Sequence, residues 1–265
     1  MESKYPAHQD HRWRLNQAPK CLLNLHEGWQ SHTLIKIYAH RGASYDFPET
    51  SLAAYQAAIT QGADGFECDL RLTKDGVVVA WHDANLQRVA GSPLVVADST
   101  YNELLAAYPI LTLSEILELA IANHKDLALE TKHPVPTRGA IEIAVGHVLA
   151  QQQEQIRAAG IQIVLMSFSW RAIARAKMLG LATVFLASHS LPLWAARGSA
   201  LGPSISTLRK ARRRMKKLAA QGDRKIFVWT VDEAHDVELC REIGVDVIIT
   251  NRPGYVRELL DRSEV

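Results

Sequence analysis

A single parallel α/β barrel is the fold class this sequence predicts, and three observations predict it. From Leu34 onward, short β-branched or apolar runs alternate with helix-period segments, the pattern of a parallel sheet covered by helices. The chain has 265 residues, close to the roughly 250 a closed barrel needs. No dinucleotide-type or P-loop glycine signature is present, so a closed barrel is preferred to an open nucleotide-binding sheet.

The elements follow in order. Residues 1–33 are polar and lack a clear period; they are expected to form an N-terminal arm, loosely ordered or an extra helix packed on the scaffold, ahead of a barrel domain over 34–265. Four histidines lie there, His8, His11, His26 and His32, without compact ligand spacing, so no metal site is expected from them. Strands are expected at 34–39, 64–70, 77–81, 126–132, 161–167, 181–187, 225–231 and 245–250, with a weaker one near 200–206. Helices are expected at 50–62, 112–124, 137–160, 170–180, 206–222 and 233–244, several of them closed by a glycine.

Composition excludes whole classes. A hydrophobic content of 48% with 22% charged residues describes a soluble globular protein with a sizeable core. A net charge of +2 is too small to imply a nucleic acid or other polyanionic partner. Cys21, Cys68 and Cys240 are far apart and odd in number, which argues against a disulfide framework and for a reducing, cytoplasmic setting. The apolar patch CLLNL is shorter than the roughly 7–15 residues of a signal-peptide core. No run approaches the roughly 18 apolar residues of a membrane span.

The chemistry gathers at strand ends. The first strand stops at His40-Arg41-Gly42, presenting charge at its carboxyl end. Asp75-Gly76 signals a hairpin between the second and third strands. With a two-residue turn, Glu67 lies opposite His82 and Asp69 opposite Ala80, which gathers two carboxylates and a histidine. Alternation puts Glu67 and Asp69 on one face, against Phe66, Cys68 and Leu70 on the other. A pair of inward carboxylates needs positive charge, and a hard divalent cation suits oxygen ligands; the solvated face of an exposed strand is the other reading of the pair. In LALETK, Glu130 and Lys132 share a face, so Glu130 can add a third carboxylate and Lys132 can hold an anion; a plain Glu130–Lys132 salt bridge is the alternative. His40 and His82 at strand ends suit a general base and a general acid, and the fork of Arg41 suits a phosphate. Together these groups point to hydrolysis or transfer at phosphorus.

The blocks AHRGAS, PETSLAAYQAAITQGADGFECDLRLTKDGVVVAWHD, LALETK and VWTVDEAHDVELCREIGVDVIITNRP resemble the glycerophosphodiester phosphodiesterase family from Leu34 to about Leu260. The resemblance implies a TIM (β/α)8 barrel with a β-hairpin after the second strand and a short inserted segment at 84–109. It implies metal-dependent hydrolysis of glycerophosphodiesters to an alcohol and sn-glycerol 3-phosphate, with magnesium or calcium. His40 and His82 become the acid/base pair, and Glu67, Asp69 and Glu130 the metal ligands. Arg41 and Lys132 fall on the phosphate, and Glu49 is a supporting carboxylate behind the metal ligands. Trp229 resembles an aromatic near the glycerol, with core packing as its other reading. The sequence departs from the family at Pro48-Glu49-Thr50-Ser51, where Thr50 or Ser51 can cap the next helix. It also departs at Asn251-Arg252-Pro253, a position with no catalytic expectation. Which histidine is base, and whether a neighbouring hydroxyl or water attacks phosphorus, stay open.

Two other readings compete. Lysophospholipase D-like cleavage of a membrane lipid keeps the same residues and draws on Leu191, Leu193 and Trp194 as an apolar patch, with RKARRRMKKL giving weak membrane-surface contact. The preferred reading of that basic run is the wet face of a helix, since Leu208, Ala211, Met215 and Leu218 recur at helical spacing. A non-catalytic headgroup-binding module predicts loss of a histidine or a carboxylate, and all are present.

Overall fold

A strand buried on both faces needs near-continuous apolar sequence, and the runs that have it assemble into one parallel sheet. The computed structural model describes residues 34–188 and 200–262. Its strands are β1 (Lys36–His40), β2 (Gly65–Leu72), β3 (Val78–Ala80), β4 (Asp126–Thr131), β5 (Ile163–Ser167), β6 (Ala182–Ala187), β7 (Ala200–Pro203), β8 (Phe227–Val228) and β9 (Val247–Thr250). Every expected strand, the weak one near 200–206 included, falls on one of them. The parallel strands run in the order β7-β6-β5-β4-β2-β1-β9-β8. Parallel bridges from Leu201 to Ile226 and from Ser204 to Trp229 then join β7 to β8 and complete a TIM barrel.

Alternation sorts the side chains as anticipated. Tyr38, Ala128, Val164, Met166, Phe227 and Ile249 pack together inside the barrel. Phe66, Cys68, Leu70, Leu127 and Leu129 belong instead to the layer between strands and helices. At the amino end of the barrel, Lys36 Nζ and the Tyr38 hydroxyl both donate to Asp126 Oδ2, at 2.6 and 2.8 Å. The interior is therefore filled below, and Glu67, Asp69 and Glu130 are left to its carboxyl end.

The hairpin register differs from the expectation by one residue. Leu70 pairs with Ala80 and Leu72 with Val78, and the Trp81 amide donates to the Asp69 carbonyl at 2.8 Å. Asp69 therefore faces Trp81, not Ala80, and Glu67 does not face His82. The cause is the turn. Three residues, Lys74-Asp75-Gly76, connect Thr73 to Val77, and Gly76 takes the left-handed conformation (φ 85°) that closes such a loop. One added loop residue shifts every pair downstream.

Other differences are local. The expected helix 137–160 divides into Ala140–Gln151 and Gln153–Ala159, and 206–222 into Ile205–Lys210 and Arg212–Gln221. The backbone leaves helical values at Gln152 (φ −117°) and Ala211 (φ −106°). A closing helix, Pro253–Asp261, has no counterpart among the sequence expectations; Pro253 sits in its first turn, where a missing N–H costs nothing. The segment 84–109 packs Leu86, Val96 and Leu104 against Val79, Trp81 and Ile110 in a separate apolar cluster. In the basic run, Leu208 and Met215 are buried and Ala211 and Leu218 pack against the same core, leaving the charges on the wet side. The expected arm at 1–33 and the apolar patch of Leu191, Leu193 and Trp194 lie outside the described residues. Among the described residues, no helix is long and apolar enough to cross a membrane.

Candidate active site at the carboxyl end of the barrel

Parallel register sets the side chains side by side. His40 aligns with Glu67 across β1 and β2, and Asp69 aligns with Glu130 across β2 and β4. All three carboxylates are buried, and one oxygen from each lies within 4.8 Å of the others. After β1, Arg41 turns into the left-handed region (φ 58°), a cost that non-glycine residues bear mainly where the surroundings enforce it. Its amide donates to the Glu67 carbonyl at 3.0 Å, and its side chain folds back so that Nε lies 2.7 Å from Asp69 Oδ2. Gly42 (φ 82°) follows, with the Ala54 backbone so close that a Cβ would sit 2.6 Å from the Ala54 carbonyl carbon. That contact seats the helix Leu52–Thr60, which Ser51 caps by accepting from the Ala54 amide at 3.1 Å.

Lys132, just past β4, places Nζ 2.6 Å from Asp69 Oδ1 and 2.7 Å from Glu130 Oε1. The Glu130–Lys132 salt bridge, the alternative reading of this segment, is thus present, within a larger cluster that also holds Asp69. Burial raises the pKa of Glu67 and Glu130, and the neighbouring carboxylates add to it; Glu130 reaches about 7. Burial acts on Asp69 in the same sense, but Lys132 and Arg41 outweigh it and hold that carboxyl down at about 2.

Each histidine is gripped at Nδ1. His40 Nδ1 lies 2.7 Å from Asn251 Oδ1, and Asn251 in turn donates Nδ2–H to Asp232 Oδ2 at 2.6 Å. The donated amide fixes which end of Asn251 is oxygen. His40 therefore carries its proton on Nδ1, leaving Nε2 bare and 3.9 Å from Glu67 Oε2. Burial, and then the charge of Arg41, lower the His40 pKa. His82 Nδ1 lies 2.8 Å from Asp83 Oδ1. Burial and Lys132 lower the His82 pKa, while Asp69 and Asp83 oppose them.

Asn251, singled out in the sequence with no catalytic expectation, grips His40; Asp83, given no role there, and Arg88, not singled out at all, also join the site. Asn251 follows β9 as Arg41 follows β1, so its strand-end place was the available signal. Arg88 lies on the short helix Gln87–Ala90 of the inserted segment, and no local pattern marks it. Its guanidinium takes both oxygens of Glu49, at 2.5 and 3.1 Å, and Asp83 Oδ2 at 2.6 Å; Glu49 also meets Arg41 at 3.3 Å. Trp229 is half-buried: its Nε1 donates to the Gly202 carbonyl at 2.8 Å, and its ring walls a small cavity with His40, Glu67 and Glu130.

The donor set fits a divalent cation. Three buried carboxylates offer hard oxygen atoms. Both Asp69 oxygens, although close to Lys132 and Arg41, make no aligned hydrogen bond and keep their acceptor capacity.

Comparison with known proteins places this geometry. Residues 40–255 match the model of the glycerophosphoryl diester phosphodiesterase family. A Mycobacterium tuberculosis protein named "Probable glycerophosphodiester phosphodiesterase 1" is 34% identical over 260 residues, covering 85% of this chain and 92% of its own. The crystal structure of a glycerophosphodiester phosphodiesterase from Thermotoga maritima superposes with a TM-score of 0.70 at 26% identity, covering 86% of this chain and 100% of that one. A phosphodiesterase from Oleispira antarctica, determined in complex with its product sn-glycerol-3-phosphate, superposes at 0.76 with 24% identity, covering 86% of this chain and 97% of that one. This chain belongs to the glycerophosphodiester phosphodiesterase family, and it is an enzyme that cleaves phosphoric diesters.

Proposed function

We propose that the chain hydrolyses glycerophosphodiesters to an alcohol and sn-glycerol 3-phosphate, with a divalent metal on Glu67, Asp69 and Glu130 and with His40 as base and His82 as acid. The observation that carries this reading is the gathering of three buried carboxylates, two histidines, Arg41 and Lys132 at one end of the barrel. Magnesium and calcium both suit the all-oxygen donor set. The bound cation would neutralise charge growing on the phosphoryl oxygens.

The protein's own groups divide the remaining work. Arg41 and Lys132 bring cationic N–H donors to the phosphate. His40 holds its proton on Nδ1 against Asn251, and its lowered pKa keeps Nε2 unprotonated near neutrality, so it accepts the proton of the attacking oxygen. His82 rests against Asp83, which opposes the lowering of its pKa by burial, and it gives a proton to the departing alcohol. Trp229 supplies an apolar wall for the glycerol carbons. The attacking oxygen is water or the neighbouring glycerol hydroxyl, and trapping of a cyclic phosphate separates the two. A cytoplasmic setting accords with Cys68 and Cys240, both buried free thiols.

The test is release of glycerol 3-phosphate from glycerophosphocholine, with and without EDTA, by wild type and His40→Ala. Metal-dependent activity lost in the variant supports the reading. Activity that survives both treatments overturns it. Turnover of lysophosphatidylcholine in place of glycerophosphocholine moves the substrate class to lysophospholipids and keeps the residues.

A further inference from the structure

Beside the site lies a cavity of about 660 Å³ whose lining includes His133, Pro134, Arg138, Phe168, Arg171 and Arg175. Its volume falls in the range of about 300–1,000 Å³ typical of small-molecule pockets. Its walls come from the loop after β4 and the start of the helix Trp170–Met178 after β5. It therefore opens on the same barrel face as the catalytic groups. His133 directly follows Lys132. The Phe168 ring meets Trp229 edge-on, with centroids 5.6 Å apart, and Trp229 in turn walls the cavity shared by His40, Glu67 and Glu130. One aromatic pair thus separates the cavity from the reacting centre.

The charge in this cavity is one-sided. Glu142, fully buried, is the carboxylate bonded to its lining residues, and it is spent on His133 Nε2 at 2.5 Å and Arg175 at 3.2 Å. Arg138 and Arg171 are exposed and have no acidic partner among the described residues. Arg138 also holds a left-handed backbone (φ 51°). A quaternary ammonium group would need free carboxylates or an aromatic cage; among the described residues the cavity offers a single aromatic ring and an excess of guanidinium groups.

We propose that this cavity receives the leaving alcohol of the diester, and that it favours alcohols carrying a negative charge of their own, a phosphomonoester above all. The inference rests on the phosphodiesterase reading and names the substrate class that reading leaves open. With glycerol phosphate held at Arg41 and Lys132, the far side of the scissile bond extends past Phe168 toward Arg138 and Arg171, whose forks match a phosphate.

The experiment uses a matched pair of substrates, glycerophosphoinositol and glycerophosphoinositol 4-phosphate, which differ by one phosphate. Wild type should show a higher kcat/KM on the phosphorylated member, with an advantage that shrinks as salt rises. In the double variant Arg138→Ala with Arg171→Ala, the ratio of the two kcat/KM values should fall about tenfold or more. Arg138→Glu with Arg171→Glu should push the ratio below one. Turnover of both substrates with a ratio that the variants leave unchanged overturns the subsite and spares the phosphodiesterase reading. Absence of turnover on every glycerophosphodiester overturns that reading, and the subsite falls with it.

Discussion

Arg88 clasps Glu49 through both carboxylate oxygens, at 2.5 and 3.1 Å. With Asp83 on its Nε, Arg88 ties the inserted segment to the loop after β1 and, through Asp83, to His82. Half of its side chain is exposed, so the pairs contribute little to global stability. Their effect falls on position. Arg88→Ala should lower kcat by roughly tenfold while leaving the melting temperature within a degree or two. Parallel kinetics and thermal unfolding check this; a large loss of stability would make Arg88 a scaffold residue instead.

The proposed division of labour between the histidines can be tested with leaving groups. Replacing the natural alcohol with p-nitrophenol removes the need for an acid. His82→Ala should therefore regain most of its lost rate on the p-nitrophenyl diester, and His40→Ala should not. The reverse pattern would exchange the roles.

Asn251 holds the tautomer of His40 without touching the reacting atoms. Asn251→Ala should cost about 10–100-fold in kcat with little change in KM. The pH profile should also move, because the Nδ1 partner that steadies the ring is gone. An unaltered profile would make Asn251 a packing residue.

Metal held on the acidic cluster, as proposed, should bind in a pH-dependent way. The Glu130 pKa is raised from an ordinary 4.5 to about 7. A raised folded-state value stabilises the fold below the unfolded pKa, and that contribution is lost as pH climbs through the folded pKa. The EDTA-treated protein should thus lose stability from this group between about pH 4.5 and 7. A divalent cation needs the carboxylate form, so its gain in melting temperature should be small near pH 5 and largest above about pH 7. A gain independent of pH would place the metal on other residues.

Gly42 combines a left-handed backbone with the near contact to Ala54. Gly42→Ala should destabilise the fold by about 2–4 kcal/mol. Chemical denaturation measures it, and a loss under half a kcal/mol would show that the turn relaxes freely.

Most of the barrel was legible because both of its signals are local. Apolar runs such as IQIVLMS read as buried strands, alternation paired Glu67 with Asp69 and Glu130 with Lys132, and the barrel reading turned both pairs inward. The hairpin register was not legible from Asp75-Gly76, since that pair serves two-residue and three-residue loops alike. Asn251 and Arg88 escaped for another reason. Their partners lie 211 and 39 residues away in sequence, and no periodicity encodes contacts at that range. Arg88 was the harder case, because the segment carrying it shows neither strand nor helix period.

The junction of β7 and β8 leaves the ring with one light clasp. β8 has two residues, and it meets β7 through isolated bridges where every other parallel neighbour shares a ladder. Thermal breathing of the barrel should begin there, so amides near Ile226 and Trp229 should exchange with deuterium ahead of those in β2 and β4. Trp229 stands on that clasp while walling the reaction chamber. The most yielding stave of the barrel is thus the one beside His40, Glu67 and Glu130, and molecules of differing girth have a side on which to be accommodated.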